Sequence, residues 1–114
     1  MSKILDLNII EKIKIATAKR SPEFLSSLVD NFLVHSAELI TEINLALEQS
    51  NIPKIIKNIH KLKGTSASFG AEELAQLCSK IETTDHAEIK PLIEQLTDCY
   101  DRTKSEIKQV FTSK

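Results

Sequence analysis

One histidine near the middle of the sequence is followed by the only two glycines among the 114 residues. The stretch reads His60-Lys61-Leu62-Lys63-Gly64-Thr65-Ser66-Ala67-Ser68-Phe69-Gly70-Ala71, so the glycines come four and ten positions after the histidine. A glycine inside a helix costs about 1 kcal/mol relative to alanine. We therefore expect Gly64 to stand where a side chain would obstruct His60, one helical turn away. The spacing predicts an accessible imidazole that acts as a nucleophile.

Positive charge surrounds this histidine in the sequence. No Asp or Glu occurs between Gln49 and Ala71, although the whole chain has a formal net charge of only -1. Four lysines lie in the same span: Lys54, Lys57, Lys61 and Lys63. Such a patch suits an anion that is attached to, or arrives at, the ring nitrogen. The alternative is an ordinary polar surface histidine among lysines that keep the protein soluble.

Five helices are predicted to position this stretch. Their approximate ranges are 6–18, 22–50, 53–69, 71–84 and 87–112. Ser21 followed by Pro22 is a typical start of a helix, as an N-cap and a first helical residue. Asn51-Ile52-Pro53 interrupts the helical pattern, and Gly70 is expected to end the helix that carries His60.

Apolar residues recur at helical spacing along each of these segments, and no strand-like alternation occurs. Four amphipathic helices with short connections predict an all-α fold, an antiparallel up-down four-helix bundle. The short N-terminal helix is expected to cap one end of it. The length of 114 residues fits a single domain over residues 1–114. Within its helix, His60 lies roughly 120° from the centre of the apolar stripe, which places it on the solvent side of the core.

Composition excludes several classes of protein. The net charge argues against a broad nucleic-acid-binding surface. No apolar run approaches the roughly 20 residues needed to cross a bilayer, and no secretory segment begins the chain, so we expect a cytoplasmic protein. Cys78 and Cys99 fall on apolar helix stripes and are expected to be buried, reduced thiols. His35 and His86 belong to no Glu-x-x-His set, so no metal or cofactor site is expected.

The motif His60-x-x-Lys63-Gly64-Thr65-Ser66-Ala67-x-Phe69-Gly70-Ala71 resembles the signature of histidine-containing phosphotransfer (HPt) domains. The similarity continues into the next predicted helix, at Leu74, Leu77, Cys78, Ile81 and Glu82. The order and lengths of the helices are also similar over nearly the whole chain. A threonine stands at position 65, where many relatives carry serine.

The resemblance implies a role for each residue of the motif. His60 would accept a phosphoryl group on Nε2 from the phospho-aspartate of a receiver domain and pass it to another receiver. Lys63 would hold the phosphoryl oxygens, Gly64 would leave room for the phosphate and the partner, and Gly70 would close the helix. Glu82 occupies a place where some relatives hold the imidazole by a hydrogen bond.

The same resemblance implies a phosphoryl carrier in a two-component pathway, not an enzyme with ATP binding or autokinase activity. No glycine-rich nucleotide loop is present. The implied partners are response-regulator receiver domains and a hybrid sensor kinase. The protein is expected to be a monomer that binds neither nucleic acid nor a membrane. The divalent metal is expected on the receiver, so this chain needs no cofactor of its own.

Phe24 and Leu28 lie roughly 100° from the core stripe of their helix and form a second apolar ridge. An exposed ridge beside the histidine would fit the recognition surface of a receiver. The residues expected to contact the receiver are Ile10, Ile13, Phe24, Leu28, Lys57, Lys61 and Ala67. Alternatively, Phe24 and Leu28 pack beneath the N-terminal segment.

Three other functions compete with the carrier. One is a scaffolding bundle of the same fold that carries no phosphate. A metal-binding bundle would need inward-facing His and Glu sets, which the sequence lacks. A kinase dimerisation helix pair usually has an acidic residue directly after its phosphorylated histidine, whereas Lys61 follows here.

Overall fold

The computed structural model describes residues 4–112, without the side chain of Thr112; residues 1–3 and 113–114 of the predicted domain lie outside the described part. All regular elements between residues 4 and 112 are helical, which confirms the all-α class. The helices are α1 (Leu7–Thr17), α2 (Pro22–Glu48), α3 (Ile52–Ser68), α4 (Glu72–Thr83), α5 (Ile89–Glu94) and α6 (Leu96–Thr112), with a 3-10 turn at His86–Glu88.

Four helices enclose the hydrophobic core. Helix α3 packs against α2 and α4, and α6 closes the ring by packing against the same two helices. The seam between α3 and α4 therefore lies across the bundle from the seam between α2 and α6. This closed set of neighbours is compatible with the predicted four-helix bundle.

Side-chain caps begin the first three helices. Asp6 accepts hydrogen bonds from the amides of Asn8 and Ile9 at the start of α1, and Ser21 accepts one from Phe24 at the start of α2. Asn51 does the same for Lys54 at the start of α3. Each cap satisfies amides that have no partner within the helix, which is why the predicted starts lie within a residue of the observed ones.

Two left-handed residues end the helices of the α2–α3 hairpin. Gly70 has φ +78°, and the amide of Ala71 donates to the carbonyl of Ser66 at 2.8 Å. Ser50 has φ +52°, and the amide of Asn51 donates to the carbonyl of Ala46 at 2.9 Å. Both helices therefore end in a Schellman motif. Only the first has glycine at the left-handed position, and glycine is the residue that this conformation favours.

The N-terminal segment covers the end of the bundle where α3 turns into α4. The amide of Asp6 donates to the carbonyl of Gly70 at 2.8 Å, and the amide of Glu73 donates to the carbonyl of Ile4 at 3.2 Å. The second bond satisfies one of the free amides of α4, which has no side-chain cap. The predicted capping position of α1 is thus confirmed.

The prediction of one continuous helix over 87–112 is wrong. Pro91 has no N–H to donate to the carbonyl of Ala87, and the backbone before it forms a 3-10 turn instead. The amide of Gln95 then donates to Leu92, three residues back, at 3.1 Å. That shortened bond separates α5 from α6.

Both thiols lie in the interior, as predicted. Cys78 is fully buried and Cys99 is 2% exposed, and neither forms a disulfide. Burial raises the pKa of each thiol to about 12, because a thiolate is poorly solvated there. Within residues 4–112, no helix combines the length and the apolar character that a membrane span requires.

Candidate functional site

His60 lies on the outer surface of the bundle, midway along α3. Its side chain is 73% exposed. The neighbouring residues Ile59 and Leu62 of the same helix are fully buried in the core. The predicted outward direction of the imidazole is therefore confirmed, and nothing in residues 4–112 covers it.

A carboxylate from the neighbouring helix holds both the histidine and the nearby lysine. Glu82 on α4 contacts Nδ1 of His60 through Oε2 at 2.9 Å. Its other oxygen, Oε1, accepts a hydrogen bond from Nζ of Lys63 at 2.6 Å. The side chain of Glu82 is only 17% exposed, so these contacts are partly shielded from water. One carboxylate thus orients two residues of the motif.

The ionisation of Glu82 determines which ring nitrogen is available. Hydrogen bonds from Lys63 and then from His60 hold the pKa of the Glu82 carboxyl below its ordinary value. An ionised carboxylate only accepts hydrogen bonds, so Nδ1 of His60 must be the donor. In the neutral ring the lone pair then resides on Nε2. The exposed nitrogen is therefore the one that can act as a nucleophile.

Gly64 lies one turn after His60 with open space around it. Apart from the adjacent residues and the backbone of its own helix, a Cβ atom added at this position would meet no atom within 4 Å. The folded chain therefore contains no steric reason for a glycine here, although a mid-helix glycine costs about 1 kcal/mol. The cost is explained if something from outside the chain must approach at this point.

The predicted basic patch is only partly present. Lys57 and Lys61 are exposed on α3, as expected. Lys54, however, pairs with Glu42 of α2 at 3.3 Å, and Lys63 pairs with Glu82. Acidic residues absent from this span of the sequence are supplied by the neighbouring helices, so the field around His60 is less positive than the sequence indicates.

The predicted docking residues do not form one exposed ridge. Ile10 is wrong as a docking residue: it is only 2% exposed, because its side chain points inward and packs over Gly70. Ile13 and Leu28 are half-buried against the core. Phe24 is half-buried beneath the guanidinium of Arg20, 3.9 Å from its ring centre. Ala67 is exposed on α3, seven residues after His60.

The other two histidines lie apart from this arrangement. His35 is exposed on α2, and His86 is exposed in the 3-10 turn. Sequence reasoning missed Ala75 and Ser79, which line a groove beside Lys63 between α3 and α4. Their spacing to Glu82, seven and three residues, is the signal that places them on one side of α4.

The chain is similar in sequence to known histidine-containing phosphotransfer proteins. A family profile described as "Hpt domain" matches residues 27–106, which is most of the chain. Histidine-containing phosphotransfer protein 1 of Arabidopsis thaliana is 32% identical over 60 residues, or 51% of this chain and 39% of that protein. Phosphorelay intermediate protein YPD1 of Candida albicans is 32% identical over 63 residues, or 55% of this chain and 34% of that protein. The chain thus spans less than half the length of these curated relatives.

The whole fold is similar to a crystal structure from Pseudomonas aeruginosa, that of histidine-containing phosphotransfer protein B. The TM-score is 0.84 at 22% sequence identity, covering 100% of this chain and 99% of that one. At this identity the likeness supports the helical fold and carries no information about the site.

Proposed function

Because the chain belongs to the Hpt domain family, we propose that it is a phosphorelay carrier whose phosphorylated residue is His60. It accepts a phosphoryl group from the phospho-aspartate of one receiver domain and passes it to another. The observation that carries this proposal is the contact between Nδ1 of His60 and Glu82, which leaves Nε2 free and exposed.

The transfer needs little from this chain beyond position and charge. The lone pair on Nε2 of His60 forms the N–P bond while the P–O bond to the aspartate breaks, and the departing carboxylate keeps the electron pair. The ring retains its Nδ1 proton and becomes positively charged. The carboxylate of Glu82 offsets that charge at a distance of 2.9 Å. Positioning and charge neutralisation account for most of the catalysis in phosphoryl transfer.

Lys63 and Gly64 serve the incoming phosphoryl group in this proposal. The ammonium of Lys63 has three donors, of which one is used by Glu82, so the others are available to phosphoryl oxygens. The open space at Gly64 admits the aspartyl phosphate and the loop that carries it. A divalent cation is expected on the receiver, and this chain adds no cofactor.

A radiolabelling experiment tests the assignment. The wild-type chain and His60→Gln are incubated with a receiver domain that carries labelled phosphate. We expect an acid-labile, alkali-stable label on the wild type and none on the variant. His35→Gln and His86→Gln are matched controls, because both residues are also exposed histidines, and they should label normally. Equal labelling of wild type and His60→Gln would refute the site.

The same experiment separates the carrier from a scaffolding bundle. A scaffold of this fold would bind receivers without acquiring any label, whichever histidine is present. The cytoplasmic location and the monomeric state are predictions from the sequence. Sedimentation velocity measures the oligomeric state.

A further inference from the structure

A groove runs between α2 and α6, across the bundle from the α3–α4 seam that carries His60. Its volume is about 920 Å³. Within it, the hydroxyl of Tyr100 donates to the backbone carbonyl of Leu33 at 2.7 Å, so one side chain bridges the two helices. Further along, Lys108 of α6 shares a smaller cavity with Pro22 at the start of α2. The two helices that form the groove therefore run antiparallel.

Exposed apolar side chains lie on α2 along this face. Val34 lines the groove and is 58% exposed. Leu45 is 45% exposed and follows Val34 by 11 residues, about three helical turns, so both lie on one side of α2. Within residues 4–112, these are two of the four large apolar side chains that are exposed. Their placement on one helix face favours a contact with another protein.

The two walls of the groove carry opposite charge. Asp30 and Glu38 lie on the α2 wall, one turn before and one turn after Val34. Lys104 and Lys108 lie on the α6 wall. Among the described residues, Asp30, Glu38 and Lys104 form no ion pair. The surface thus presents an acidic row beside a basic row.

We propose that this α2–α6 face binds a second copy of the chain in a weak, two-fold symmetric dimer. The inference is independent of the proposed function. A two-fold axis along the groove places α2 of each copy on α6 of the other, so each acidic row meets a basic row, and Val34 packs against α6 of the other copy. An axis across the groove would place α2 on α2 and bring the carboxylates of the two copies together. The charge pattern therefore selects the first arrangement.

The facing rows are also in register. The hydrogen bond between Tyr100 and Leu33 sets these two residues at about the same level along the groove. Lys104 lies one turn beyond Tyr100, and Asp30 lies about one turn before Leu33, so in antiparallel helices these two share a level as well. Rotation about an axis along the groove leaves the levels unchanged. Asp30 of each copy therefore faces Lys104 of the other.

The size of the face predicts that the dimer is weak. Two helices side by side are about 20 Å wide, and the 17 residues of α6 extend about 25 Å. The contact then covers about 500 Å² on each copy, which is at the low end for specific interfaces. We expect Kd on the order of 10 µM. This inference departs from the monomer expected from the sequence, because patterns along single helices do not show how α2 and α6 lie side by side.

Sedimentation velocity of the full chain, at concentrations below and above about 10 µM, tests the proposal. We expect the sedimentation coefficient of the wild type to rise from that of a monomer to that of a dimer. Val34→Glu places another carboxylate in the acidic row and removes the apolar contact, so it should raise Kd at least about 30-fold. Ile15→Glu is the matched control and should leave Kd unchanged, because Ile15 is a 69% exposed apolar residue on α1, outside this face.

A charge exchange tests the arrangement of the two copies. Symmetry repeats each pair twice, so Asp30→Lys alone and Lys104→Glu alone should each raise Kd about tenfold or more. In an equimolar mixture the two variants meet with opposite charges at both pairs. The mixed dimer should therefore return to a Kd near that of the wild type. Such a recovery also shows that both variants are folded.

Four outcomes would overturn the inference. The first is a wild type that stays monomeric at every concentration, and the second is a dimer that Val34→Glu leaves intact. Loss of the dimer in Ile15→Glu would assign the contact to α1 instead. A mixture of the charge variants that dimerises no better than either variant alone would refute the placement of α2 on α6.

Phosphorylation by phosphoramidate reports where the second copy lies relative to His60. This small donor needs no docking surface. It should label His60 equally in the dimeric wild type and in the monomeric Val34→Glu, because the imidazole is exposed on the other side of the bundle. Labelling that falls as the wild type dimerises would place the second copy over His60 and would also refute the α2–α6 face.

Discussion

The carboxylate of Glu82 contacts Nδ1 of His60 at 2.9 Å across the seam between two helices. The two residues are 22 positions apart in the sequence. Through this contact α4 decides which nitrogen of a histidine on α3 faces solvent. The same carboxylate holds Lys63 at 2.6 Å, so a change at position 82 acts on the ring and on the ammonium together.

Glu82→Gln should slow phosphoryl transfer to His60 by about tenfold. The amide oxygen of glutamine still accepts a hydrogen bond from Nδ1, but it lacks the charge that offsets the phosphorylated ring, a difference of about 1.4 kcal/mol. Rapid-quench measurement of transfer from a phosphorylated receiver gives the rate. Glu88→Gln, at an exposed position in the 3-10 turn, is the control. A rate equal to that of the wild type would remove Glu82 from the mechanism.

The ionisation of Glu82 should also make the stability depend on pH. Its pKa in the folded protein is lowered from the ordinary value of 4.5, so just below pH 4.5 the unfolded chain binds more protons than the folded one. This contribution is therefore complete above that pH and is lost as the pH falls through the lowered folded pKa. Urea unfolding of wild type and Glu82→Gln should show a stability difference that shrinks in this acidic range. A difference that stays constant would contradict the shift.

Lys63→Ala should slow transfer by roughly 10- to 100-fold without unfolding the bundle, since one charge-assisted contact to the phosphoryl oxygens is lost. The side chain is 35% exposed, so its pair with Glu82 contributes only about 1 kcal/mol to stability. Transfer kinetics and urea unfolding are measured on the same sample, with Lys90→Ala as an exposed control. Unchanged transfer would leave the lysine with a structural role alone.

Gly64→Gln should stabilise the helix while blocking the receiver. The folded chain leaves open space at this position, so the substitution removes the helix cost of glycine, about 0.5–1 kcal/mol, without a clash. The longer side chain lies one turn from His60 and obstructs an approaching domain. Transfer from a receiver should fall strongly in Gly64→Gln and less in Gly64→Ala, while phosphoramidate still labels both. Full-speed transfer in Gly64→Gln would refute the clearance argument.

The two left-handed helix ends should respond in opposite directions. Gly70→Ala places a Cβ 3.2 Å from the carbonyl oxygen of Asp6 in a backbone with φ +78°, so we expect a loss of about 1–2 kcal/mol. Ser50 adopts φ +52°, a left-handed conformation that glycine adopts without steric strain. We therefore expect Ser50→Gly to raise the free energy of unfolding by about 0.5–1 kcal/mol. Urea midpoints at constant m-value report both changes. Equal stabilities for the wild type and Gly70→Ala would contradict the close contact.

Local signals in the sequence were sufficient for most of the helix boundaries. Caps at Ser21 and Asn51, and the glycine at position 70, act on amides and carbonyls a few residues away. The outward direction of His60 also follows from periodicity along its own helix. The family resemblance read from the motif around His60 is confirmed by the match over residues 27–106.

Contacts between helices could not be read in the same way. Lys63 and Glu82 are 19 positions apart, and the resemblance suggested Glu82 only as a partner of the imidazole. The lysine patch was overestimated for the same reason, since Glu42 and Glu82 come from other helices. The inward position of Ile10 depends on where α1 meets Gly70, which α1 alone does not specify.

The sequence by itself therefore determined the first four helices and that His60 projects from one of them, whereas the division of the last predicted helix appeared only in the structure. Periodicity gives a direction relative to a helix's own axis, and caps act within a single turn. Only the tertiary structure decided what meets that histidine: a carboxylate on Nδ1, open space at Gly64 and a groove along the seam. Those features arise from how neighbouring helices pack side by side, which depends on residues far apart in the chain.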